Sequence, residues 1–190
     1  MIDESENLRK TGLEFFQKGG TTNFQQAMNY FKRSADLNNA DAMADIALMY
    51  QNGYFVKQDS DKAFHWLKKS ADNGSVNGML NFGLIMATQN NYDDALKWLD
   101  KAYNKSEGLM KGKIAYNISL VYKKISDDKS SWISNLISDE EDDDLKKSEE
   151  WLNISKKLNY EPPKTSNNDN SFDLGEVVAG IAEIILASRD

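Results

Sequence analysis

Residues 63–74 read AFHWLKKSADNG, and the frame of this stretch recurs along the chain. A small residue is followed three positions later by an aromatic one, then by an apolar residue and, after three more positions, by another small residue. The same order occurs in AMNYFKRSA at 27–35, in ALKWLDKAY at 95–103 and, more weakly, in SEEWLNISK at 148–156. A frame that recurs at steps of 36, 32 and 53 residues predicts an array of similar helical units.

A second set of positions precedes each frame and supplies a partner helix. Its small members are Gly12, Ala47, Gly83 and Ser119, at steps of 35, 36 and 36 residues. Small residues allow two helices to approach closely, and the larger residues around them fill the space between helix pairs. We therefore predict an all-α chain of four helix pairs. The small frame residues are expected to be contacts between helices, and the aromatic ones to be wedges between repeats.

The stretch YQNGYFVKQDSDKAFHWLKKSADNG, residues 50–74, resembles the Sel-one-like repeat, a relative of the tetratricopeptide repeat. The residues that carry the resemblance are Tyr50, Gly53, Val56, Asp59, Lys62, Ala63, Trp66, Ala71 and Gly74. The third repeat keeps Gly83, Ala95 and Trp98 with a shorter loop, and the first and fourth match only in their helices. The resemblance implies an α-solenoid of antiparallel helix pairs that binds other proteins, with no catalysis and no cofactor.

These patterns predict one helical-repeat domain over residues 1–190. Its repeats are expected at about 5–38, 40–73, 76–107 and 110–160, with an acidic insertion at 126–144 and a C-terminal helix at 172–188. The apolar stripe of that last helix has to be covered. We expect the helix to cap the open end of the solenoid. Docking into the groove and a homodimer through this helix are the alternatives.

Composition excludes several kinds of site. The chain has no cysteine and a single histidine, His65, so neither a thiolate nor an imidazole metal cluster is available. The acidic insertion lacks the spacing of a calcium loop, so we expect no metal site. The N-terminus is acidic and polar, unlike a signal peptide, and no apolar run is long enough to span a membrane. We therefore expect a cytoplasmic protein that binds no membrane.

The charge of the chain is concentrated in one segment. Between residues 125 and 150 there are ten acidic and three basic residues, whereas the rest of the chain holds 20 of each. This distribution argues against nucleic acid and favours a basic protein partner. The insertion also contains a tryptophan that is suited to anchoring a partner. The candidate contact residues in this segment are Trp132, Asp139, Glu140, Glu141, Asp142, Asp143 and Asp144.

A row of apolar residues on the first helix of each pair provides a second candidate surface. In the geometry of tetratricopeptide repeats these positions face the concave side, where a peptide or the C-terminal helix could lie. The candidate groove residues are Leu48, Leu80, Leu84, Tyr116 and Leu120.

The sequence thus predicts a non-enzymatic protein-binding module. The most concrete hypothesis is an immunity-type inhibitor that neutralises a basic cognate toxin, with its carboxylates guiding capture. The alternative is an adaptor or regulatory protein that binds a peptide or helix in the solenoid groove.

Overall fold

The computed structural model describes residues 3–133 and 142–162, apart from the side chains of 130–133, and every regular element in these ranges is an α-helix. The all-α prediction is confirmed for this part of the chain. The helices are α1 (Glu4–Lys18), α2 (Thr21–Asp36), α3 (Ala40–Asn52), α4 (Ser60–Asp72), α5 (Val76–Thr88), α6 (Tyr92–Lys105), α7 (Gly108–Ile133) and α8 (Asp143–Lys157).

The helices belong to two compact units. The first ends at Phe82 and contains α1 to α4 with the first half of α5. The second begins at Gly83 and contains the remainder of α5 with α6, α7 and α8.

Polar residues cap the starts of several helices, and an asparagine and a glycine form turns at the ends of two. Asp3, Asn39 and Asp59 are the N-caps of α1, α3 and α4, and each side chain accepts a hydrogen bond from a backbone N–H of the first turn. A cap of this kind stabilises a helix by about 1 kcal/mol. After α2 and α4 the chain turns through Asn38 and Gly74, whose positive φ angles of 64° and 90° suit those two residue types.

The small frame residues are helix contacts, as predicted. Ala27, Ala63 and Ala95 are at most 3% exposed. In the first unit the serines at the end of the frame also make hydrogen bonds: Ser34 Oγ donates to the backbone oxygen of Ser5, and Ser70 Oγ donates to that of Ala40, both at 2.6 Å. Each bond joins the second helix of a pair to the start of the first helix. The same hydrogen bond therefore occurs in both repeats of this unit.

In the second unit, close packing joins α5 to α6 and polar contacts join α7 to α8. A Cβ atom added to Gly83 would lie 3.1 Å from both the backbone oxygen of Ala95 and Cγ of Leu99. Ser126 Oγ donates a 2.5 Å hydrogen bond to Asp142 Oδ2, across the two ends of the predicted insertion. The last helix of this unit is therefore fixed by named side-chain bonds as well as by apolar contact.

The aromatic frame residues are only partly enclosed. Tyr30, Trp66, Trp98 and Trp151 are all half-buried. Trp66 packs against the core of the first unit, and Tyr30 stacks on Phe15 with ring centroids 5.5 Å apart. These rings therefore keep part of their surface accessible, and their role as wedges between repeats stays a prediction.

The insertion expected at 126–144 begins as helix and not as loop. Helix α7 continues without a break to Ile133. This part of the sequence contains no proline or glycine, and Lys124 and Asp128 form an i, i+4 ion pair at 2.5 Å that supports the extension. Residues 134–141 and the helix expected at 172–188 lie outside the described residues.

We predict that Gly78→Ala lowers the free energy of unfolding by about 1–3 kcal/mol, although alanine normally favours a helix. The added Cβ would lie 2.2 Å from Ser70 Oγ and 2.8 Å from the backbone nitrogen of Ala71, so the helix would have to shift. Urea unfolding followed by circular dichroism measures the change. Gln25→Ala, at an exposed position of α2, is the control and should change stability by less than about 0.5 kcal/mol. An unchanged or more stable Gly78→Ala variant would contradict this packing.

Candidate functional site

A cleft of about 410 Å³ opens on the second unit and is lined by α6, α7 and α8. We call it the α6–α8 cleft. Helix α7 contributes Ile118 and Tyr122 and helix α8 contributes Trp151, so this side of the cleft is apolar and aromatic. The residues of α6 follow i, i+3, i+4 and i+7 spacing and thus share one helix face. They are Asp93, Leu96, Lys97 and Asp100.

Two carboxylates on α6 give the cleft negative charge. Asp93 and Asp100 are exposed, and neither forms an ion pair with any described residue. Asp100 accepts a 3.0 Å hydrogen bond from the Asn104 amide, which leaves its charge in place. The ammonium of Lys97 lies 3.1 Å from Asp94, which is not a lining residue, and this hydrogen bond lowers the pKa of the Asp94 carboxyl. Lys97 therefore lines the cleft while its charge is neutralised by another carboxylate.

A second lysine borders the aromatic side of the cleft. The Nζ atom of Lys147 lies 5.6 Å from the ring centroid of Tyr122 and 3.7 Å from Asp144 Oδ1. Asp144 also accepts a hydrogen bond from Lys129. Since Lys147 has a carboxylate partner of its own, the charges of Asp93 and Asp100 remain available to a ligand.

A basic residue covers the aromatic frame residue in each of the first three repeats. It comes three positions after the ring, about one helical turn away, and lies within the range of a cation–π contact. The pairs are Arg33 over Tyr30 at 5.6 Å, Lys69 over Trp66 at 5.0 Å and Lys101 over Trp98 at 4.0 Å.

The fourth repeat departs from this pattern at the cleft. The position three residues after Trp151 is Ile154, and no described cation lies over the Trp151 ring. Trp151 instead meets Tyr103 edge to face, with ring centroids 4.9 Å apart. Helix packing alone does not predict this difference. The spacing between aromatic and basic residues in the sequence could have shown it.

Two of the carboxylates expected to bind a partner have internal roles. Asp142 is the N-cap of α8 and accepts the hydrogen bond from Ser126, which lowers the pKa of the Asp142 carboxyl. Asp144 is 8% exposed and bonds to Lys129 of α7. Asp143, by contrast, is exposed. The structure thus uses Asp142 and Asp144 to fasten α8 to α7.

The side chain of Trp132, and Asp139, Glu140 and Glu141 as a whole, lie outside the described residues. Their contact with a partner stays a prediction.

Three of the five residues predicted to line an apolar groove are buried. Leu48, Leu80 and Leu84 are 2%, 0% and 3% exposed, whereas Tyr116 and Leu120 are half-buried. Burying a leucine side chain stabilises a protein by about 1.5–3 kcal/mol, which accounts for enclosing such residues. The three buried leucines present no accessible surface in this structure, and contact of Tyr116 and Leu120 with a partner stays a prediction.

The first unit contains a buried ion pair that sequence reasoning did not identify. Arg9 Nε lies 2.7 Å from Asp45 Oδ2, and the Asp45 side chain is 2% exposed. Burial raises the pKa of Asp45 to about 6, and the charge of Arg9 opposes this rise. Asn81 and Asn117 follow Asp45 at steps of 36 residues and are also buried, so the repeat places one polar residue at this position three times.

Comparisons with known proteins agree with the helical-repeat architecture. The Sel1 repeat family matches residues 8–39, 40–75 and 78–106, about half of the chain. A Sel1 repeat protein from Oxalobacter formigenes is similar in structure, with a TM-score of 0.52 and 18% identity over 64% of this chain and 50% of that one. A protective antigen present in uropathogenic Escherichia coli strains, which displays an SLR fold, gives a TM-score of 0.58 and 22% identity over 81% of this chain and 30% of that one. No curated protein sequence matches the chain.

The chain therefore belongs to the Sel1 repeat family, and its fold class is the α-solenoid. The Sel1 repeats indicate a protein–protein interaction module in this chain. It spans half of one structural relative and less than a third of the other. Within the described residues, no helix combines the length and the apolar character that a membrane crossing requires.

We predict that Arg9→Met lowers the free energy of unfolding by about 3 kcal/mol at pH 8, because it leaves Asp45 buried without its cation. Because Arg9 opposes the rise in the Asp45 pKa, removing it raises that pKa further, and as the pH falls towards 5 the folded variant gains more stability from the bound proton than the unaltered protein does. The unfolded chain, with an ordinary pKa of 3.8, does not gain that proton there, so the loss should be smaller at pH 5. Urea unfolding at both pH values measures the effect.

Lys68→Met is the matched control for this experiment. Lys68 and Asp72 also pair at 2.7 Å, but both side chains are about half exposed. Removing an exposed pair costs less than about 1 kcal/mol. Equal losses for Arg9→Met at pH 5 and pH 8 would contradict the role given to the buried carboxyl.

Proposed function

We propose that this chain binds a basic protein partner and that the α6–α8 cleft is a main contact surface. The observation that carries the proposal is the pair of carboxylates, Asp93 and Asp100, beside a ring of Trp151 that no described cation covers. A partner that brings cations to this surface would supply the missing counter-charges. The net charge of −7 would also speed its approach.

The most concrete form of the proposal is an inhibitor of the immunity type. Such a protein would occupy the cationic surface with which a basic toxin, for example a nuclease, holds its substrate. This role requires binding alone, so we propose a non-enzymatic protein that acts in the cytoplasm. The net charge and the acidic cleft support this form, and the Sel1 repeats support binding in general.

An adaptor that holds a peptide along the row of leucines has less support. Three of the five residues expected to line that groove are buried, so a peptide would meet mainly Tyr116 and Leu120 there. The two forms differ in their dependence on salt, because screening weakens exposed charge pairs more than apolar contacts.

We predict that reversing the charge of the cleft removes binding of the partner. The tagged chain captures its partner from the native cell, and Asp93→Lys/Asp100→Lys should recover about tenfold less of it or worse at low salt. Raising the salt from about 0.1 M to 1 M shortens the screening length from about 10 Å to 3 Å and should weaken capture by the unaltered chain. Quantitative mass spectrometry of the captured proteins measures both effects.

Glu14→Lys/Asp36→Lys is the matched control. It makes the same change in net charge at two exposed positions of α1 and α2 and should capture the partner normally. Reversing Asp142 or Asp144 is unsuitable, because it would release α8 from α7. Equal capture by the cleft and control variants would refute the proposed surface.

The inhibitor form has a separate test. Expression of the captured partner alone should stop growth of a host cell, and co-expression of this chain should restore it. A partner that is harmless when expressed alone would leave binding intact as a function and remove the toxin hypothesis.

A further inference from the structure

We infer that the α6–α8 cleft receives one arginine side chain of the protein partner, with its guanidinium over the ring of Trp151. This inference rests on the proposed function and names the group that the cleft recognises. Three features of the described residues support it: the repeat pattern of aromatic and basic residues, the carboxylates of α6, and the apolar residues that line the cleft.

The repeat pattern indicates that Trp151 lacks a cation that its equivalents have. In the first three repeats the frame aromatic holds a base from its own helix, at distances of 4.0–5.6 Å. Replacement of that base by Ile154 in α8 leaves the Trp151 ring without an internal cation among the described residues. A cation from outside could occupy the equivalent place, and it would gain the same attraction to the ring.

The carboxylates supply the second half of the site. Asp93 and Asp100 lie on the α6 face that lines the same cleft as Trp151. The spacing of seven residues places them about two helical turns apart on that face. A cation that enters between α6 and α8 would therefore meet a carboxylate on one side and an aromatic ring on the other.

These surroundings favour arginine over lysine. A guanidinium is flat, so it can lie on an aromatic ring while the N–H groups at its edge donate to a carboxylate. An ammonium is a compact, strongly hydrated charge and cannot meet both groups in the same way. The apolar side chains of Leu96 and Ile118 would contact the methylene stem of the arginine.

The two described lysines at the cleft, Lys97 and Lys147, do not fill this role. Lys97 is directed to Asp94 at 3.1 Å, and Lys147 lies over Tyr122 and beside Asp144. Both lysines are held by carboxylates other than Asp93 and Asp100. They would repel a second cation weakly, and their partners offset most of that repulsion.

The first test titrates the full chain with N-acetyl-arginine methylamide and follows the indole N–H signal of Trp151 by NMR. The signal is assigned with a Trp151→Phe variant, since the chain contains four tryptophans. The arginine probe should give a saturable shift. The citrulline analogue has the same shape without the charge and should bind about tenfold more weakly or worse, and the lysine analogue should also bind more weakly.

Free L-arginine separates a partner's side chain from a small-molecule ligand. Its α-ammonium and α-carboxylate offset each other, and a cleft that takes only the side chain has no use for them, so it should bind no better than the blocked probe. Tighter binding of the free amino acid would overturn the assignment to a protein partner.

A second test restores the cation that the other repeats possess. Ile154→Lys places a base three residues after Trp151, as in the first three repeats, and should abolish binding of the arginine probe. Ile154→Met is the matched control, because it keeps an apolar side chain of similar size at the same position and should bind normally. Thermal unfolding of both variants checks that they are folded.

The outcomes separate this inference from the proposed function. No saturable shift of the Trp151 signal, equal binding of arginine and citrulline probes, or undiminished binding by Ile154→Lys would each overturn the arginine assignment. If Asp93→Lys/Asp100→Lys still loses the captured partner in that case, the acidic cleft remains the contact surface and only the identity of its ligand is wrong.

Discussion

Close contact between a very small residue on one helix and a large apolar one on the next is the constraint on which the structure depends. In α1 a Cβ atom on Gly12 would lie 2.6 Å from the ring of Phe31 in α2. Gly83 and Leu99 repeat the arrangement between α5 and α6. Because the backbones approach this closely, the serines at the ends of α2 and α4 can reach backbone oxygens of the paired helix. Close helix packing and these hydrogen bonds therefore both depend on small residues at the repeated positions.

This packing decides which residues can take part in recognition. In the first three repeats the small and apolar frame positions are enclosed, whereas the aromatic positions are half-buried and keep an accessible face. In three repeats that face carries a base from the same helix, and in the fourth it opens into an acidic cleft. A change at one repeated position thus converts a structural contact into a candidate binding site.

The sequence alone was sufficient to predict the features of the fold that depend on the local spacing of residues. The steps of 35 and 36 residues predicted the helix pairs, and the small residues predicted the contacts, because both follow from helix geometry. Spacing could not show that α7 runs on to Ile133, since a charged, serine-rich segment is compatible with helix or loop. Nor could it show that Asp142 caps α8, or that Asp93 and Trp151 line one cleft. Those facts depend on which helices meet in space.

A double-mutant cycle of Gly12→Ala and Phe31→Leu tests the central packing claim most directly. Each single change should destabilise the chain, the first by crowding the ring and the second by removing buried apolar surface. Shortening Phe31 also makes room for the new Cβ, so the double variant should be more stable than the sum of the two losses by about 1 kcal/mol or more. Urea unfolding of the four proteins gives this coupling energy. Strictly additive losses would contradict the claim that the two residues set the distance between the helices.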